Sequence, residues 1–162
     1  MLPYLTASET SLQSLQYQII NRYFPSNATI NIWYNDNSAN CNYCNKEDTI
    51  EHYFFECNYV QVLWRRFVIW WNIISECKIT FGALDVIFGI MNENNDDLIC
   101  VLNYCILFCK HFIYKCKSQV IPCNLDSFIS KLKKRVEVEK YFAMKHGNIL
   151  VVERRWNIIL NI

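Results

Sequence analysis

Cys41, Cys44, His52 and Cys57 fall within one 17-residue window, CNYCNKEDTIEHYFFEC, a C-x2-C-x7-H-x4-C pattern. Thiolate sulfur and imidazole nitrogen are the donors that zinc prefers, and four of them fill a tetrahedral shell. Two residues between Cys41 and Cys44 let both sulfurs face one ion. A shell filled by protein leaves no position for an activated water, so the expected metal is one structural Zn2+. Such an ion would staple a loop with few core contacts of its own.

Other chemistry-bearing residues carry less. Cys105 and Cys109 share a helical face, with His111 and Cys116 nearby, and could be read as a second metal site. Buried free cysteine is common, however, and the segment is apolar nearly all round, so core packing is the preferred reading. There is no Gly-rich phosphate loop, no G-x-S-x-G and no H-E-x-x-H, and no catalysis is expected of this chain. The acids Asp96 and Asp97 are expected to cap a helix.

The 162 residues include nine Cys, five Trp, ten Tyr and ten Phe but only three Gly and three Pro. Sparse breakers and long periodic apolar segments predict a mostly α, irregular helical domain around the zinc site. Residues 1–109 carry five Lys/Arg against eleven Asp/Glu, a net −6, whereas residues 110–162 carry eleven against four, a net +7. A basic half of this kind can meet a nucleic-acid backbone, although a solvated face is the commoner origin. The N-terminus lacks a basic start and an apolar run, so no signal peptide is read and an intracellular location is expected. Residues 98–112 are apolar, but the stretch is short and interrupted by Asn103, Lys110 and His111. It reads as a core helix, with no membrane partner.

The elements that must position the ligands follow from periodicity. Residues 11–24 place Leu12, Leu15, Ile19, Ile20 and Tyr23 on one helical face, stopped by Pro25. Residues 29–34 could be helical or extended. Asp48 or Thr49 caps a turn carrying His52, and the five-residue step to Cys57 requires that turn to end or loosen there. A helix over residues 60–75 carries Val60, Leu63, Trp64, Phe67, Trp70, Trp71 and Ile74 as its apolar stripe. Residues 81–90 form a short apolar element, and a helix over 97–117 follows. Asn124 or Asp126 caps a long helix to about Lys145, ended by Gly147, with Leu125, Phe128, Ile129, Leu132, Val136 and Phe142 inward. A last short element spans 149–160. The organisation is one of two segments, 1–80 with the zinc site and 81–162 with the basic face, within one compact unit. Lys131, Lys134, Arg135, Arg154 and Arg155 are the candidate phosphate contacts, and Trp156 a candidate base contact.

The window CNYCNKEDTIEHYFFECNYVQVLW resembles the zinc-binding region near the C-terminus of non-LTR (LINE-type) retrotransposon reverse transcriptases. That family has two cysteines two apart, acidic residues with a Thr, then His, a Cys beyond it and a Trp soon after. Here these are Cys41, Cys44, residues 47–49, His52, Cys57 and Trp64. LQYQIINRYFPSN resembles the helix that precedes the zinc segment. ALDVIFGI, KKRVEVEKYFAMKHG and ERRWNIIL are similar to the segment that follows it. The resemblance implies a non-catalytic accessory domain that binds RNA, with target DNA as a second ligand, beside the polymerase part of a reverse transcriptase. It also implies that the chain is a C-terminal piece, because the polymerase Tyr/Phe-x-Asp-Asp motif has no match. Two alternatives stay open: a zinc-propped helical protein-interaction module, and an inactive retroelement fragment.

Overall fold

A computed structural model describes residues 9–35, 38–91 and 96–160. It is mostly helical, and among the described residues no strand is present beyond one isolated bridge. Among the described residues seven α-helices run in order: α1 (Thr10–Ile20), α2 (Asn27–Tyr34), α3 (Asn58–Ser75), α4 (Ala83–Phe88), α5 (Asp97–Gln119), α6 (Leu125–Lys145) and α7 (Ile149–Leu160). A π-helical turn, His52–Glu56, stands immediately before α3.

α5 is the axis of the fold. Helices α1, α4, α6 and α7 and the π turn all pack on it. Its length and apolar composition would suffice to cross a membrane, and here 61% of that apolar window is buried inside the protein. The apolar run extends one turn beyond the stretch that periodicity singled out, because Lys110 and His111 do not break it. Lys110 is fully buried and donates to Gln16 Oε1 of α1 and to the Ile87 carbonyl of α4, at 3.2 Å for the latter. A buried ammonium requires such partners. Burial nevertheless lowers its pKa to about 7.

α1 buries Leu12, Leu15 and Ile19 as their 3,4 spacing dictates. It ends earlier than Pro25 requires. Arg22 adopts a left-handed conformation (φ 61°), Tyr23 stays 60% exposed, and the chain folds back to bury Phe24. The cause is tertiary: the Phe24 ring sits 4.8 Å from Tyr53, 4.7 Å from Phe54 and 5.9 Å from Tyr114. Residues 29–34 prove helical. Ser26 Oγ accepts from the Thr29 amide and starts α2, whose Ile32, Trp33 and Tyr34 are exposed.

α3 buries Val60, Leu63, Trp64, Phe67, Trp70 and Trp71, the expected stripe, with Ile74 half-buried. Asn124 caps α6 by accepting from the Ser127 amide at 2.9 Å, and Gly147 (φ 73°) terminates the segment after it. One inward expectation fails. Phe142 is 56% exposed and Ala143 is buried instead. α7 packs on α6, and Ala143 rather than Phe142 is the residue turned inward near that junction.

Candidate metal centre

A short knuckle delivers the first two cysteines. Asn40 and Glu47 form an antiparallel bridge, and the Cys41 amide donates to the Lys46 carbonyl at 2.7 Å. The tight return between them places Asn45 in the left-handed region (φ 60°), which asparagine tolerates better than most residues. The Tyr43 amide points at Cys41 Sγ at 3.5 Å. Thr49 Oγ1 then accepts from the His52 amide at 3.1 Å, capping the turn as its sequence position suggests.

The five-residue step from His52 to Cys57 has a direct structural answer. The Cys57 amide donates to the His52 carbonyl at 3.0 Å, an i to i−5 bond, so the backbone widens into one π turn. That widening offsets a step that an α-helix would splay by about 100° per residue, and both side chains reach one point. Cys57 is also the N-cap of α3, where the helix dipole favours a thiolate.

The four donor atoms all lie within 4.8 Å of one another. Cys41 Sγ is 3.7 Å from Cys57 Sγ, Cys44 Sγ is 4.0 Å from Cys57 Sγ, and Cys44 Sγ is 3.1 Å from His52 Nε2. A tetrahedron with metal–sulfur arms of about 2.3 Å has edges of about 3.8 Å, so the donor set is sized for one zinc ion. Cys41, His52 and Cys57 are buried and Cys44 is half-exposed.

Electrostatics treat the four donors differently. Burial pushes the Cys57 thiol up to about 12. Burial also opposes ionisation of Cys44, but the Lys46 amide and the neighbouring Cys41 and Cys57 thiols outweigh it and lower its pKa. Burial holds His52 below its ordinary value, in the neutral form that ligates metal. Three crowded sulfurs cannot all ionise without a compensating dication, and zinc supplies that charge when bound.

Cys105 and Cys109 are fully buried, and burial pushes both thiols above their ordinary value. They pack in the core as expected. Among the described residues the Cys41–Cys44–His52–Cys57 group is the one cluster suited to a metal.

The basic candidates separate. Lys131, Lys134 and Arg154 are exposed. Arg135 is half-buried and paired with Glu9, and Arg155 lies against the Tyr104 and Trp156 rings, 3.7 Å from Glu139. Both are committed to internal contacts. Trp156 overturns its expected role: its ring is fully buried, meets Tyr104 edge-on at 4.9 Å, and donates from Nε1 to Glu139 Oε2 at 3.0 Å. It is a core residue rather than a stacking surface. Tyr43, Asp48 and Lys117 meet beside the knuckle around a cavity of about 360 Å³ that sequence reading did not single out. Lys117 comes from the far end of α5, and no local pattern links it to the zinc window.

Fold and site together define a mostly helical domain with a Cys3His cluster that could hold a zinc ion. Residues 5–64 match the family model described as zinc-binding in reverse transcriptase. The match takes in α1, α2, all four ligands and the first turns of α3 up to Trp64. α4 to α7 lie beyond it. No curated protein matches the chain.

Proposed function

We propose that this chain is a non-catalytic, zinc-stabilised accessory module of a LINE-type reverse transcriptase that binds RNA, and target DNA as a second ligand. The observation that carries the reading is the coincidence of the reverse-transcriptase zinc-binding match with four donors gathered within 4.8 Å. The closed shell supports a structural metal, since all four positions are taken by protein. No disulfide joins the nine cysteines, which suits an intracellular compartment.

The phosphate contacts we propose are Lys131, Lys134 and Arg154, with weak sequence preference. Arg135 and Arg155 act indirectly, by fixing α6 and α7. The test is fluorescence anisotropy with a single-stranded RNA across a salt series. Changing Lys131, Lys134 and Arg154 to Ala together should weaken binding at low salt and flatten the log–log salt slope by about 2. A salt-independent affinity, or one untouched by the triple change, sinks the phosphate mechanism.

One observation favours a second reading, a protein-interaction module. A groove of about 400 Å³ opens beside α3, lined by Phe55, Trp64, Val68, Ile69 and Phe81, with Arg65 at its rim. Ile69 and Ile73 on the same helix are 61% and 71% exposed. On this reading the groove takes the polymerase part of the reverse transcriptase. Co-purification with that part, without RNA retention by the chain alone, would favour it.

A further inference from the structure

The cavity beside the zinc knuckle carries an unmet hydrogen-bonding demand. Asp48 is 3% exposed. Its Oδ2 accepts from the Asn27 amide at 3.2 Å, at the start of α2, while its Oδ1 has no partner. Leaving a shielded acceptor unpaired is costly. Asp48 lines the cavity together with Pro25, Tyr43, Tyr53 and Lys117.

The other walls narrow what fits. The Tyr43 ring stacks on Tyr59 at 4.2 Å, which holds it rigid, and it remains 37% exposed. Lys117 is nearly buried, lies 3.9 Å from the Tyr53 ring centroid and 5.7 Å from that of Tyr43, and donates to the Tyr53 carbonyl at 2.9 Å. The site therefore offers an aromatic surface, a carboxylate that wants a donor, and a fixed cation. A free phosphate would suit Lys117 but be repelled by Asp48. A metal cation would suit Asp48 but be repelled by Lys117. A flat ring that bears an amine and is joined to a phosphate suits both.

We propose that this cavity is a single-base subsite that admits a nucleobase with an exocyclic amine from single-stranded RNA or DNA, the amine donating to Asp48 and the adjoining phosphate lying near Lys117. The proposal rests on the nucleic-acid reading above and adds base selectivity to it. Cytosine presents its amine to the carboxylate. Uracil presents carbonyl oxygens on either side of one N–H, and these face a carboxylate unfavourably. Aromatic contact supplies the sequence-tolerant part of the affinity.

The experiment compares oligocytidylate with oligouridylate of equal length on the zinc-loaded chain, by anisotropy, with wild type and Asp48→Asn. The asparagine keeps an oxygen for the Asn27 amide and replaces the unpaired acceptor with a donor. Zinc content and circular dichroism matching wild type establish that it folds. Wild type should prefer oligocytidylate by at least about fivefold, and Asp48→Asn should abolish or invert that preference. Equal affinity of wild type for the two oligomers overturns the subsite and leaves the phosphate reading standing. So does an Asp48→Asn effect that is the same on both. Failure to bind either oligomer at low salt overturns both.

Discussion

Cys44 is the half-exposed member of the donor set, and its replacement tests the staple with least damage to the core. Purified protein should contain one zinc per chain by elemental analysis. Cys44→Ser should lose it along with part of the helical signal, since binding energy at a structural site is folding energy. Full folding of metal-free wild type would remove the staple. Lys110 makes a second residue-scale prediction. Its pKa is lowered to about 7 in the fold against 10.5 in the open chain, so the unfolded state binds more protons between these values. Stability from this group therefore rises with pH through that window, by up to about 1.4 kcal/mol per pH unit, and levels off below it, where Lys110 is charged in both states. Tyr53 and Tyr104 act in the opposite sense nearer pH 10, because burial raises both. Urea unfolding of wild type and Lys110→Met from pH 7 to 8.5 isolates the lysine. The variant should lack the upward slope, and equal slopes would show that Lys110 keeps its charge without cost.

At the scale of elements, α3 joins the zinc site to the core. Its first residue follows Cys57 directly, and its Phe67 ring meets Trp64, Trp70, Phe81 and Phe128 at 5.5, 5.5, 5.9 and 5.7 Å. Phe67→Ala should cost about 3–5 kcal/mol, because these neighbours come from several elements and cannot all collapse into the gap. Denaturant titration of zinc-loaded protein measures it. The start of α6 should be less sensitive. Asn124→Ala removes one cap and should cost about 1 kcal/mol in the same assay. A larger loss would mean that the α5–α6 connection contributes tertiary contacts beyond the cap. The π turn is the element on which the site most depends, since an α-helical continuation would rotate Cys57 away from His52.

Across the whole molecule, the charge asymmetry of −6 in residues 1–109 and +7 in 110–162 does not become a simple basic face. Glu9 pairs with Arg135 across the two segments, and Glu139 and Glu153 pair with Arg155 and Lys140 within the second. Exposed cations left to meet a polyanion are fewer than the count suggests. RNA affinity at physiological salt should accordingly be modest, and it should collapse between about 50 and 200 mM salt less steeply than for proteins with 6–10 phosphate contacts. A steep slope of that larger size would mean that the internal pairs open on binding.

The sequence by itself determined the parts that local chemistry controls. Donor type and spacing singled out the four donors that the fold gathers, 3,4 periodicity placed α1, α3 and α6, and Asn124 and Gly147 marked the ends of α6. Tertiary structure decided what depends on residues distant in the chain. The burial of Phe24 against Tyr53, Phe54 and Tyr114 ended α1 before Pro25 could. Packing of α7 on α6 took Trp156 inside and left Phe142 outside, although both are aromatic residues on amphipathic helices. Asp48 and Lys117 line one cavity, and Lys110 donates to Gln16, which brings together groups 69 and 94 positions apart. No short-range pattern encodes such pairs, because burial and ion pairing are set by which surfaces meet once the helices have formed.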